Sequence, residues 1–133
     1  KNGLNKVTTF TNFKKRVEAS KKNFVNLLRT LKKDNKKIIG YGATAKAVTV
    51  LNYCKINTKY IDYFFDTTLE KQNKFMPGVR IPIKKYIRLK KKFVDFVFLG
   101  AWNFKKEIFY KENKFLKEKG KFISHVPYPK IIP

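Results

Sequence analysis

A layered α/β fold follows from three observations on this chain of 133 residues. Short runs of β-branched and aromatic residues alternate with amphipathic segments, the connections between them are short, and the first run ends in a glycine turn that opens a helix. Together they predict a Rossmann-like three-layer α/β/α sandwich with a mainly parallel five-stranded sheet, preceded by an N-terminal amphipathic helix. Residues 1–10 read as a linker and 11–133 as one domain, a size suited to a single core.

Each element has a local reason. From Thr11 to Lys33, Phe13, Val17, Phe24, Leu27, Leu28 and Leu31 recur at three- and four-residue steps with lysines opposite, which predicts a helix capped by Thr11 and stopped at Asp34–Asn35. Lys37 to Gly40 predicts a first strand, and Ala43 to Tyr53 a weakly charged helix packed on the sheet. Tyr60 to Phe65 is a buried second strand. Pro77–Gly78 marks a turn, and Val79 to Ile83 a third strand that Pro82 confines to an edge or a strand end. Phe93 to Leu99, apolar except for Asp95, is the fourth. Asn103 to Lys119 is a helix with Phe104, Ile108, Phe115 and Leu116 inward, stopped by Gly120. Lys121 to Val126 is the fifth strand, and Pro127, Pro129 and Pro133 punctuate the tail.

Composition narrows the partners. A hydrophobic fraction of 43% excludes a disordered chain. The formal charge of +23 invites a nucleic-acid reading, but the arginines are only Arg16, Arg29, Arg80 and Arg88, and arginine is the residue best shaped for bidentate phosphate and base contacts. The lysines lie in scattered pairs, with Lys90–Lys91–Lys92 the one run of three. No specific nucleic-acid partner is expected. Cys54 is the single cysteine, so no internal disulfide forms and a reduced, cytoplasmic setting is expected. No apolar stretch approaches the roughly 20 residues of a membrane span, so no membrane partner is expected, and the polar N-terminus shows no signal peptide. The chain opens on Lys1 rather than methionine, so an excised fragment is expected.

The turn Ile38-Ile39-Gly40-Tyr41-Gly42-Ala43-Thr44-Ala45 carries the chemistry. Gly40, Gly42 and Ala45 match the G-x-G-x-x-G/A spacing: the first allows a sharp turn, the second a close phosphate, the third close helix–strand packing. Free N–H groups at the helix start make an anion site, to which Lys46 adds charge. Asp66 ends the second strand about twenty residues on, where a ribose-binding acid sits in such folds. Trp102 and Asn103 follow the fourth strand at the same edge. Trp102 is open between stacking on a base and packing under a loop, and Asn103 reads as a helix cap before a ligand contact. His125 is read as structural rather than as a general base, and Cys54 as a buried inert thiol. With no nucleophile–base set and no metal cluster, a binding module fits better than a complete enzyme. NAD binding in an oxidoreductase and a basic nucleic-acid module are the alternatives.

The order of motifs resembles the C-terminal domain of S-adenosylmethionine-dependent sugar C-methyltransferases. The stretches are Gly40-Tyr41-Gly42-Ala43 with Ala45-Lys46, Leu51-Asn52-Tyr53-Cys54, and Tyr60-Ile61-Asp62-Tyr63 leading to Asp66. Lys71-Gln72, Pro77-Gly78 and Ile81-Pro82-Ile83 follow, then Trp102-Asn103, Lys106-Glu107-Ile108 and Gly120-Lys121-Phe122-Ile123. The resemblance implies a non-catalytic domain that helps to hold a nucleotide-linked deoxysugar. It also implies that S-adenosylmethionine and zinc belong to upstream domains of the same chain, whose methyltransferase domain is then a partner. A homodimer stays open. Three departures stand out: Ala47 where the family has glycine, Thr68-Leu69 in place of Asn-Pro, and Gly100-Ala101 in place of Leu-Pro before Trp102-Asn103. The last two sit beside the expected ligand and bear on substrate identity more than on fold.

Overall fold

The computed structural model describes residues 2–125 and 129–132, with side chains from residue 9 onward. Val126, Pro127 and Pro133, expected to end the fifth strand and mark the tail, lie outside the described residues. Helix α1 spans Asn2–Lys33. It therefore takes in most of the segment read as a linker, and Thr11 lies within it instead of capping it. No proline interrupts 1–33, so nothing in the backbone chemistry forces a later start. Its end is as expected. Asn35 adopts φ 58, and the Asn35 and Lys36 amides donate to the Lys32 and Leu31 carbonyls, closing the last turn with an αL residue.

The remaining elements are β1 (Ile38–Tyr41), α2 (Ala45–Cys54), β2 (Phe64–Asp66), β3 (Ile83–Lys85), β4 (Phe96–Leu99), α3 (Lys105–Lys111), α4 (Asn113–Lys117), β5 (Lys121–Ser124) and β6 (Lys130–Ile132). The sheet order is β3-β2-β1-β4-β5-β6, parallel except that β6 runs antiparallel to β5, with Ile131 opposite Ile123. The sheet thus has six strands where the sequence predicts five. The extra strand hides in a proline-marked tail that has no strand-like pattern of its own.

Local turns trim the other strands. Tyr60 and Ile61 donate their amides to the Asn57 carbonyl, so β2 starts only at Phe64. Arg80 takes φ 57 inside a turn closed by Met76 and Ile81, which moves β3 beyond Pro82 to the sheet edge. The helix expected from Asn103 to Lys119 is a 3-10 turn at Trp102–Phe104 followed by α3 and α4. The left-handed residue that ends it is Lys119 (φ 71) rather than Gly120.

Two cores show why the chain takes three layers. Ile38, Phe64 and Phe98 point to one face and meet Phe24, Leu28 and Leu31 of α1 with Ala47 and Leu51 of α2. Ile39, Val97 and Phe122 point to the other and meet Ile108 and Phe115 of α3 and α4. Successive strand residues face opposite sides, so both faces of a parallel sheet are apolar and both need a helical cover.

Candidate functional site

Strand order reverses between β1 and β4, and in open α/β sheets the crevice beyond the carboxyl ends of such strands receives ligands. A cleft of about 380 Å³ lies there. Tyr41, Phe65, Tyr86 and Ile108 form its apolar side, and Asp66, Thr68 and Lys71 its polar side. A second depression of about 240 Å³ is lined by Ala45, Lys46, Trp102 and Asn103. Thr44, Ala101 and Phe104 line both, so the two are neighbours across the first residues of α2. The sequence-derived residues are thereby divided: Tyr41, Gly42 and Asp66 belong to the cleft, Ala45, Lys46, Trp102 and Asn103 to the depression, and Thr44 to both.

The glycine turn is held largely by the protein itself. Gly40 makes no turn; it lies within β1, and a Cβ there would overlap the Phe64 ring. Gly42 does require φ 92, and a Cβ on it would stand 2.6 Å from the Ala101 Cβ. Its amide donates to the Phe65 carbonyl at 2.8 Å. The Ala43 amide donates to Asp66 Oδ2 at 2.8 Å, and the Ala47 amide to Thr44 Oγ1 at 3.2 Å. Thr44 is the N-cap of α2 and donates its own hydroxyl to the Gly100 carbonyl. Of the amides expected to cradle an anion, those of Gly42 and Ala43 are therefore committed internally. The amides of Thr44, Ala45 and Lys46 form no hydrogen bond with any described residue. Any anion site is thereby narrowed to the Thr44–Lys46 end of the expected segment. The small residue that lets α2 approach the sheet is likewise Ala47, fully buried near Gly100, while Ala45 is exposed.

Asp66 clamps the turn. Its Oδ1 accepts the Thr68 amide at 2.8 Å and its backbone carbonyl accepts Gln72 Nε2. Lys71 Nζ donates to the Ala43 carbonyl at 3.0 Å and stands 3.9 Å from Asp66 Oδ2. Burial opposes the charge on Asp66. Hydrogen bonds from the Thr68 and Ala43 amides and from the Thr68 hydroxyl, with the Lys71 ammonium, outweigh it and hold the carboxyl below its ordinary range. An aspartate spaced for a ribose hydroxyl is here the acceptor for the turn's own amide.

Beneath the apolar side lies Glu112, a carboxylate 1% exposed. It accepts hydrogen bonds from the Tyr41 and Tyr86 hydroxyls and from the Leu89 amide. Burial, then the neighbouring Glu112 carboxylate, pushes the Tyr41 phenol up strongly and that of Tyr86 up to about 12. Both phenols thus stay neutral and face Glu112, leaving their rings on the cleft. Sequence reasoning missed Glu112, Tyr86 and Lys71. A signal for Glu112 existed: it stands on the same helical stripe as Ile108 and Phe115, where a carboxylate needs buried donors.

Lys46 Nζ lies 5.1 Å from the Trp102 ring centre, a cation–π distance. Asn103 sits in the 3-10 turn and does not cap α3, whose first flanking residue, Phe104, makes no side-chain cap. His125 stacks on Phe98 at 5.4 Å and lines a separate groove with Cys54, away from the Asp66 cleft. Burial pushes the Cys54 thiol up and the His125 imidazole down. Among the described residues no three of His, Cys, Asp and Glu are grouped to hold a metal ion, and no helix is long and apolar enough to cross a membrane.

A mainly parallel sheet with helices on both faces, its crevice at the reversal of strand order and its glycine turn at the crevice mouth, defines a Rossmann-like domain. The particular family is shown by comparison. The model of the C-methyltransferase C-terminal domain matches residues 1–127, and the chain belongs to that family. It is similar to the C-methyltransferase NovU of Streptomyces niveus, with 38% identity over 106 residues. That match covers 80% of this chain but 25% of the relative, so the chain spans about a quarter of the length of the curated relative it matches.

Proposed function

We propose that this domain holds a nucleotide-linked deoxysugar for an S-adenosylmethionine-dependent sugar C-methyltransferase and supplies no catalytic group itself. The observation that carries the reading is the junction of the two depressions at Thr44, where α2 begins. A ligand with two arms joined by a diphosphate fits that shape. Its anionic link meets the open Thr44, Ala45 and Lys46 amides, the positive end of α2 and the Lys46 ammonium. One arm enters the cleft between the Tyr41–Phe65–Tyr86 wall and the Asp66–Lys71 pair, and the other lies over Trp102. Family membership supports the reaction class, because the relative is named for C-methyl transfer. In this reading S-adenosylmethionine and zinc belong to other parts of such a chain. For the NAD reading, Asp66 has fewer acceptor positions left for a ribose hydroxyl, since each of its oxygens already accepts an amide of the fold.

Titration with dTDP and with a dTDP-linked deoxysugar, followed by amide NMR and Trp102 fluorescence, tests the proposal. Shifts at Thr44, Ala45 and Lys46 with quenching of Trp102 are expected. Lys46→Ala should weaken binding by about three- to tenfold, the equivalent of roughly 1 kcal/mol. Unmoved signals around Thr44, Lys46 and Asp66 at millimolar nucleotide reject the site.

A further inference from the structure

A groove of about 410 Å³ runs between the exposed part of α1 and α2, bordered also by His125 and Pro129, at a place distinct from the cleft. Its walls are mainly apolar and include Phe13, Val17, Phe24, Val50, Tyr53 and Cys54. Along α1 no described residue before Phe24 is buried, and Phe10 and Phe13 are 68% and 57% exposed. Tyr53, on α2 across the groove, is 47% exposed. Phe10, Phe13 and Val17 therefore continue the α1 stripe past Phe24 at a three- and four-residue spacing, half-buried at Val17 and mostly exposed at Phe10 and Phe13.

The charges around this stripe select its occupant. Arg16 and Lys21 line the groove, Lys14 follows Phe13 on α1, and Glu18 is the one acid between residues 9 and 23. Lys21 also lies over the Tyr53 ring, 4.8 Å from its centre. A second copy would bring the same cations face to face on a chain that already carries +23. A complementary occupant presents an apolar ridge bordered by carboxylates. In the curated relative about three quarters of the polypeptide lies outside the matched region, and this stripe belongs to the first helix of this domain.

We infer that the α1–α2 groove is the seat for the remainder of a full-length C-methyltransferase chain, through an amphipathic helix whose apolar ridge is flanked by Asp and Glu. This inference rests on family membership and on the groove, and is independent of nucleotide binding at Thr44. Seating that helix would orient the sugar-binding cleft relative to the methyl-transferring part of the chain.

The first test uses this chain and two synthetic helical peptides with the same Leu ridge, one flanked by Glu and one by Lys. The Glu peptide should bind at least about tenfold more tightly, and Phe13→Ser or Tyr53→Ser should weaken it about tenfold with an unchanged thermal melt, since both side chains are half exposed. Lys21→Glu should shift preference toward the Lys peptide. Binding of the Glu peptide that ignores Phe13→Ser and Tyr53→Ser is charge attraction alone and overturns the inference. The second test is carbodiimide cross-linking of a full-length chain carrying this domain, mapped by mass spectrometry. Links from Lys14 or Lys21 to carboxylates elsewhere in the same chain are expected. Links only between copies, or none from these lysines, overturn it. Nucleotide titration reads Thr44 and Trp102, so loss of one result leaves the other standing.

Discussion

Replacing Asp66 by Asn probes the clamp on the glycine turn. The change is nearly isosteric, but it removes a charge that accepts two backbone amides at 2.8 Å and faces Lys71 at 3.9 Å. A hydrogen bond to a charged acceptor contributes about 1.5–3 kcal/mol, and a neutral one about half of that. An Asn oxygen can serve only one of the two amides well, leaving its NH2 facing the other donor. The partly exposed Lys71 pair adds little. The expected loss is about 2–3 kcal/mol at pH 7, or roughly 8–12 °C in Tm for a domain of this size. The pH dependence supplies an internal control. The Asp66 carboxyl is held below its ordinary range in the folded state, so its contribution is present above the unfolded value near 4 and disappears as pH falls through the folded one. Urea unfolding at pH 7 and pH 3 should therefore show a large gap between wild type and Asp66→Asn that narrows in acid. A gap below about 0.5 kcal/mol at pH 7, or one that is the same at both pH values, refutes the clamp.

Gly40→Ala should cost about 2–4 kcal/mol in urea unfolding, because the new methyl overlaps the Phe64 ring in a strand between two packed faces; a neutral result would show that the ring can move away. Glu112→Ala should cost about 3 kcal/mol by leaving the Tyr41 and Tyr86 hydroxyls and the Leu89 amide without an acceptor, whereas Glu112→Gln should cost less; equal losses by thermal melting would argue against the network. Tyr86 is held up to about 12 against an unfolded value of 10. Its contribution is complete below pH 10 and is lost as pH rises toward 12, so Tyr86→Phe should flatten the alkaline fall in stability; unchanged alkaline melting curves would contradict this.

Several parts of this architecture are legible residue by residue. Ile38–Ile39 and Phe96–Val97–Phe98 are apolar on both faces, which already demands a parallel sheet covered twice, and Asn35 and Pro82 sit where an αL helix end and an edge strand need them. Other parts are not. Strand β6 takes its partner from β5 and has no pattern of its own. The end at Lys119 replaces the expected one at Gly120 because a lysine accepts the αL conformation when two backbone hydrogen bonds close the turn.

The glycine turn shows where the division lies. Spacing alone determined that a strand, a tight turn and a helix follow one another at a crevice, because those steps depend on φ, side-chain size and periodicity, all local properties. Only the tertiary structure decided which polar groups are left over for a ligand. Asp66 reaches back across the fold to the Ala43 amide, and Phe65 takes the Gly42 amide, so the open donors begin at Thr44. Hydrogen-bond partners far apart in sequence compete for the same amides, and that competition is settled only once the strands have been brought side by side.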